Sequence, residues 1–291
     1  LKYENLLLLN IAYSLFISCT SGIIVGEESV PYLFRNLDWP APFLRKYTIN
    51  IEWYKNNTCL FKTTCWPLIV SAHTGEKNGK FAISINARHT KDGTVIDNLK
   101  DYVNNTNNIW SVSILTRHVL QYAKDYDEAY TIFKHTKLLS PAYIILSGIK
   151  PEEGVIFARD RNKVHMKAKI KKWQRYYPEK DEHTNPKNHR SPLILDPTHA
   201  QTKYIIVTNI DPDYPTFQKT KAWACKTGTC KSLLIDKKKK SYGPQYRRNI
   251  ALNASCTLPA TFTVNDLFKQ ILWIRPIKNF ETIYSTVMCP A

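Results

Sequence analysis

The order of apolar periodicities predicts an α+β fold, and three observations carry that prediction. Strand-length runs fill the first third of the chain, alternating or continuously apolar. Two amphipathic helical stretches follow in the middle. Strand signals then return, interrupted by further helix and closed by a final strand, an order that suits neither an all-β nor a βαβ architecture. The 291 residues, 43% hydrophobic and 12% aromatic, suffice for a sizeable core.

Leu6–Leu9 and Ile11–Ile17 form an apolar stretch that ends at Cys19. Asn10 and Tyr13 interrupt it, and it is too short for a membrane span. A signal-peptide core, a lipoprotein-type anchor cleaved before Cys19, and the last helix of a propeptide all fit. The chain begins at Leu1 rather than Met, which reads as a fragment or a processed form.

The segment Cys19–Asp38 organises the rest. Gly22–Gly26 and Tyr32–Phe34 are strand-like runs split by the polar turn Glu27-Glu28-Ser29. A hairpin of this size would fold Arg35 and Asp38 back beside Cys19. A cation beside a thiol favours the thiolate, the nucleophilic form. A buried structural cysteine with a surface ion pair satisfies the same pattern.

Tyr47–Trp53 alternates, Lys55-Asn56-Asn57 marks a turn, and Cys59–Thr63, Cys65–Ser71 and Lys80–Ile85 continue the sheet, with His73-Thr74-Gly75 as a turn. Trp110–Ala123 and Asp127–His135 are predicted helices, and Tyr143–Ser147 and Gly154–Ala158 strands. Lys167–Trp173 reads as a solvated basic loop. Tyr204–Val207 is a strand ending at Asn209, and Tyr246–Leu252 a short helix. Thr263 and Asp266 form a capping box ahead of an apolar face of Val264, Leu267, Phe268, Ile271 and Leu272. Glu281–Met288 is the closing strand.

The net charge of +17 is localised. Lys163–Arg190 contributes +6 and Lys219–Lys240 contributes +7, so the charge belongs to two insertions, at about 163–190 and 219–240, rather than to the fold. Such insertions suit an anionic membrane surface. Lys237–Lys240 has no interleaved aromatics, so nucleic acid is not an expected partner. Seven cysteines and three sequons, at Asn56, Asn104 and Asn253, point to a secretory or lysosomal compartment. One kept thiol and three disulfides fit the odd count, with Cys225 and Cys230 near enough to close a small loop. No Cys/His zinc spacing and no Gly-rich phosphate loop occurs, so neither a metal nor another cofactor is expected.

Cys19-Thr20-Ser21 followed by Arg35-Asn36-Leu37-Asp38 resembles the start of the catalytic subunit in the acid ceramidase and N-acylethanolamine acid amidase family, cysteine members of the N-terminal-nucleophile hydrolases. Bacterial bile-salt hydrolases and penicillin V acylases share the pattern more distantly. The resemblance continues through Leu138–Leu146, Glu153–Arg161, Thr208-Asn209, Arg247-Arg248, Ala251–Ser255 and Thr282–Met288, and leaves the two Lys-rich stretches outside. It implies a four-layer α-β-β-α sandwich. It favours the propeptide reading: residues 1–18 end an α-subunit, residues 19–291 form the catalytic β-subunit, and the two remain a heterodimer after self-cleavage between Ser18 and Cys19. Family members continue beyond the last residue here, which suggests a C-terminal truncation.

The implied chemistry is amide hydrolysis through a thioester. Cys19 would supply the nucleophilic sulfur and, once its amino group is free, the base, because an α-amine has a pKa near 8. By resemblance Arg35 polarises the thiol, Asp38 orients the α-amine, Asn209 donates to the oxyanion and Arg247 contacts the substrate polar group. Both close relatives carry a Glu where this chain has Ala87, whose backbone N–H remains as an oxyanion donor. The implied substrates are amides of long fatty acids, with Trp39, Phe43, Trp53, Trp66 and Tyr143 available for an acyl channel. The short segment Trp39–Lys46 resembles the N-acylethanolamine enzymes more than the ceramidases. The competing reading, motivated by Ala87 and the basic insertions, is a catalytically impaired relative that binds anionic membrane lipid.

Overall fold

A computed structural model describes residues 10, 18–26, 28–88, 109–161, 164–170, 204–209, 244–259 and 261–291. The hairpin β1 (Ser18–Val25) and β2 (Pro31–Asp38) comes first. A 3-10 turn over Pro42–Tyr47 leads to β3 (Ile49–Lys55) and β4 (Thr58–Cys65), joined at Asn56 and Asn57, whose φ values of 49 and 62° lie in the left-handed region that Asn tolerates. β5 (Thr74–Lys77) and β6 (Phe81–Ala87) follow. β7 (Ile109–Trp110) precedes α1 (Val112–Tyr122) and α2 (Tyr126–His135). Then come β8 (Lys137–Leu138), β9 (Ala142–Ser147), β10 (Gly154–Arg159), β11 (Val164–Ile170) and β12 (Tyr204–Val207). α3 (Pro244–Thr257), α4 (Val264–Leu267) with a π turn over Phe268–Leu272, and β13 (Thr282–Met288) complete it.

The strands form two main antiparallel sheets, β12-β1-β2-β13 and β11-β10-β9-β6-β5-β4-β3; β7 and β8 pair in parallel beside them. Three apolar clusters define four layers. Val112, Leu115, Val119, Ala129 and Phe133 of α1 and α2 pack on Ile83, Ile85, Ile144 and Phe157 of the seven-stranded sheet. Ile23, Leu33, Ile205 and Val207 meet Ala82, Tyr143, Ile145 and Ile156 between the sheets. Ile24, Phe34 and Ile206 meet Ala251, Leu267, Ile271 and Leu272 of the second helical layer. The fold is therefore an α-β-β-α sandwich.

Local chemistry explains where the elements depart from the sequence reading. Thr74–Lys77 is a strand and not a turn: Gly75 lies so close to β4 and α1 that an added Cβ would sit 2.6 Å from the Lys62 carbonyl oxygen and 2.7 Å from Leu120. The turn comes at Asn78–Lys80, where Gly79 has a φ of +66°. Trp66–His73 leaves the sheet, with Leu68 at φ 71°. Lys167 and Lys169, expected in a loop, belong to β11, the edge strand beside β10. The capping box of Thr263 and Asp266 forms as expected, but Val264 is exposed and drops out of the apolar face. Cys59, Cys65 and Cys289 are free thiols, against the expected three bridges; Cys225, Cys230, the sequon at Asn104 and most of the 1–18 segment and of the two basic insertions lie outside the described residues. Among the described residues no helix is long and apolar enough to cross a membrane.

Candidate active site

Cys19 opens the buried part of β1, and the antiparallel register sets Cys19 opposite Leu37 and Ser21 opposite Arg35. Alternation then points Cys19 and Arg35 to the same face, towards the seven-stranded sheet. Both are fully buried. Arg35 Nη2 lies 3.2 Å from Cys19 Sγ and donates to the Ile85 carbonyl at 2.7 Å. Arg35 Nη1 donates to the His73 carbonyl and, at 2.5 Å, to Thr74 Oγ1. These acceptors are neutral, so they orient the guanidinium beside the sulfur without cancelling its charge. Burial, and secondarily the Arg35 charge, hold the His73 imidazole well below its usual pKa, so it stays neutral.

Asp38 stands three residues from Arg35 and so faces the opposite side of β2. Its Oδ2 pairs with Arg247 Nη1 at 2.5 Å, and its Oδ1 accepts from Thr282 Oγ1 at 2.7 Å. Burial raises the Asp38 carboxyl to about 6, with Arg247, Thr282 and Asn279 opposing the rise and Glu281 adding to it. Arg247, on α3, also donates to Asn209 Oδ1 at 3.0 Å and to Thr20 Oγ1 at 3.4 Å. Asn209 Oδ1 in turn accepts from the Cys19 main-chain N–H at 2.8 Å, and Asn209 Nδ2 donates to the Ala87 carbonyl at 2.8 Å.

Cys19, Arg35, Asp38, Asn209, Arg247 and Ala87 are thus brought together, with two rearrangements relative to the expected contacts. Asn209, rather than Asp38, touches the Cys19 nitrogen; Asp38 is joined to it through Arg247 and Asn209. The Asn209 amide donor engages the Ala87 carbonyl rather than standing free for an oxyanion. The bond between Ser18 and Cys19 lies inside β1, where Ser18 is opposite Asp38. The aromatic residues suggested for an acyl channel are mostly packed into the fold: Trp66 shares an apolar cluster with Cys19, and Trp39 and Trp53 pack against that cluster. Trp39 and Trp66 pack edge to face at 5.4 Å, Trp53 stacks on Phe61 at 5.6 Å under Arg117, Tyr143 is in the inter-sheet core, and Phe43 is exposed. A cleft of about 1000 Å³ instead runs beside β13, lined by Arg247, Phe268, Trp273, Phe280, Thr282 and Tyr284 among others. Of the sequons, Asn56 stands at an exposed hairpin tip and Asn253 is half-buried on α3.

Thr74, Thr282, Tyr284 and Asn86 escaped the sequence reading. Asn86, fully buried, accepts from Ser21 Oγ at 2.7 Å and donates to the Thr208 carbonyl at 3.1 Å, tying the two sheets together beside the site. Its signal is a polar residue near the end of the apolar strand Phe81–Ala87; the threonines carry none. Among the described residues no group of three or more His, Cys, Asp or Glu side chains could hold a metal ion.

No family model matches the chain. It is 32% identical over 212 residues to the acid ceramidase of Heterocephalus glaber, a match covering 66% of this chain and 52% of that protein. It is 35% identical over 149 residues to the N-acylethanolamine-hydrolyzing acid amidase of Caenorhabditis elegans, covering 50% of this chain and 40% of that protein. The solved structure of a C. elegans N-acylethanolamine-hydrolyzing acid amidase ortholog superposes with a TM-score of 0.67 at 25% identity, over 94% of this chain and 93% of that one. The chain belongs to the acid ceramidase and N-acylethanolamine acid amidase family. It spans about half the length of the curated relatives it matches. The sandwich described above is the family's N-terminal-nucleophile hydrolase fold.

Proposed function

We propose that this family member is a self-processing cysteine amidase acting on fatty-acid amides, with N-acylethanolamines favoured over ceramide. One observation carries the proposal: both atoms that the chemistry needs on Cys19 have their own partner, Arg35 at 3.2 Å from the sulfur and Asn209 at 2.8 Å from the nitrogen. Cleavage between Ser18 and Cys19 turns that nitrogen into an α-amine. The amine takes the thiol proton, and the sulfur attacks the acyl carbon. The oxyanion falls to the Ala87 N–H and to Asn209 Nδ2 once it leaves the Ala87 carbonyl. The tetrahedral species collapses to a thioester as the amine product leaves with the proton, and water attacking the thioester releases the fatty acid and restores the thiol. Arg247, on the wall of the cleft, is placed to meet the polar part of the substrate while holding Asp38 and Asn209. The 1–18 segment remains as the partner subunit, and a glycan at the exposed Asn56 tip suits a lysosomal or secreted enzyme.

Ala87 favours a second reading, a relative that binds anionic membrane lipid without turnover. Incubating the full-length protein at mildly acidic pH, beside Cys19→Ala, separates the two. The amidase reading expects a new N-terminus at Cys19 by mass spectrometry, absent in the variant, followed by hydrolysis of palmitoylethanolamide. An uncut, inactive protein that still binds phosphatidylserine vesicles would replace it with the second reading.

A further inference from the structure

β13 pairs with β2 through a bulge. Thr282 is opposite Asp38 and Tyr284 is opposite Leu37, so Ile283 is the extra residue between two consecutive partners. Without the bulge, residues 282 and 284 would face the same side of the sheet. With it, Thr282 faces the helical layer that carries Arg247, and Tyr284 faces the seven-stranded sheet that holds Arg35.

Each hydroxyl closes a directed set of hydrogen bonds. Thr282 Oγ1 accepts from the Asn279 N–H at 2.9 Å, which turns its own proton to Asp38 Oδ1 at 2.7 Å. On the other face Arg35 can only donate, so Thr74 Oγ1 accepts from it at 2.5 Å. The Thr64 carbonyl can only accept, so the Tyr284 hydroxyl, at 3.4 Å, donates to it. The Thr74 proton is left for the Tyr284 oxygen at 2.7 Å. Burial pushes the Tyr284 phenol up to about 12, so this set keeps its direction across the acidic and neutral range.

We infer that Thr282 and Tyr284 are positioning residues, presented to opposite faces of one sheet by the β13 bulge, that fix Asp38 and, through Thr74, Arg35. Neither is assigned a role in the reaction above, on which the kinetic part of the test rests. The groups facing Asp38 are Arg247 from α3, Glu281 and Asn279 from the segment before β13, and Thr282. Thr282 is therefore the hydroxyl that favours the ionised carboxylate there.

The test compares Thr282→Val, Thr282→Ser and Tyr284→Phe in the processed protein, using a palmitoyl amide of a fluorescent aminocoumarin. A lost positioning contact lowers kcat by about 10–100-fold and leaves KM within about 3-fold. Thr282→Val additionally moves the acidic limb of the pH profile upward, because the carboxylate loses a donor, and Thr282→Ser restores both rate and limb. Tyr284→Phe lowers kcat without moving that limb. Melting temperature against pH is read alongside: Thr282→Val shifts the Asp38 transition upward, and the shift vanishes in an Asp38→Asn background. An inactive wild-type protein that still shows this shift sinks the amidase reading and upholds the positioning of Asp38. An unmoved limb together with an unmoved melting transition in Thr282→Val overturns the inference, as does a loss of rate that Thr282→Ser fails to restore.

Discussion

Removing the Arg247 side chain should produce a stability defect that depends on pH in a direction fixed by Asp38. The pair is buried, with side-chain exposures of 3% for Arg247 and 0% for Asp38, and its Nη1–Oδ2 distance is 2.5 Å. Arg247→Met keeps the length of the stem and deletes the charge. A buried carboxylate that loses its cation costs about 3–5 kcal/mol, provided it stays ionised. Asp38 already sits at about 6, raised by burial, against an unfolded value of about 3.9. Without Arg247, which holds it down, the carboxyl rises further. A raised carboxyl stabilises the fold fully below the unfolded value and loses that contribution as pH climbs through the folded value. The variant therefore falls away from wild type as pH rises past about 6. Protonation caps that cost at about 1.4 kcal/mol per pH unit above about 6, or about 2 kcal/mol at pH 7.5 beside the lost hydrogen bonds, and at about 2–4 °C per kcal/mol the deficit at pH 7.5 is about 6–16 °C. At pH 4.5 the carboxyl is protonated, and the lost hydrogen bonds to Asn209 and Asp38 leave about 1–2 kcal/mol, or about 2–8 °C. Scanning fluorimetry at both pH values reads the difference, and Arg247→Met with Asp38→Asn should recover part of the neutral-pH loss. Equal deficits at pH 4.5 and 7.5 would refute the buried-charge account.

Two further outcomes follow from contacts away from that pair. Asn10 is buried and holds the 66–71 segment through Nδ2 to the Leu68 carbonyl at 3.1 Å and Oδ1 from the Val70 and Ser71 N–H groups at 2.8 and 3.1 Å. Asn10→Ala strands these three main-chain groups and should cost about 1–3 kcal/mol by urea denaturation; an unchanged midpoint would count against this anchor. Gly22 approaches its neighbours so closely that an added Cβ would meet the Ile205 carbonyl oxygen at 2.7 Å and the Phe34 ring at 2.5 Å. Gly22→Ala should cost about 1–3 kcal/mol by urea denaturation, and a neutral result would mean that β1 and β12 separate freely.

What was legible in the sequence was what short-range pattern encodes. The β1–β2 hairpin was readable because its apolar runs and polar turn are local, and it alone brings Arg35 to Cys19. β9, β10 and β12 were readable as continuous apolar runs that suit strands buried on both faces. β5 was not, because Thr-Gly-Glu-Lys has turn composition, and the need for Gly75 arises from Leu120, 45 residues away. The shell of Arg35 was also hidden. Two of its acceptors are main-chain carbonyls, of His73 and Ile85, which any residue supplies. Asn209 is singled out by family resemblance alone, and its partners, the Cys19 N–H and the Ala87 carbonyl, are again main-chain groups that leave no trace in residue type.

The spacing of Arg35 and Asp38 explains how the site divides. Three residues along a strand is an odd step, so the two side chains cannot share a face. Arg35 meets the Cys19 sulfur between the sheets, and Asp38 meets Arg247 under the helical layer. Cys19 belongs to both environments because its sulfur follows the side-chain face while its nitrogen is main chain. The surroundings of the Cys19 sulfur therefore depend on how the two sheets pack, through the contacts of Arg35 with Thr74, His73 and Ile85. The setting of the Cys19 main-chain nitrogen depends on how α3 sits, through Arg247 and Asn209. Asn209 is the joint between them, since it contacts the Cys19 nitrogen and Arg247 with one atom and the Ala87 end of the facing sheet with the other. Both donors on Asn209 Oδ1 therefore come from the half that holds Cys19 and Arg247, while its amide nitrogen reaches the facing sheet.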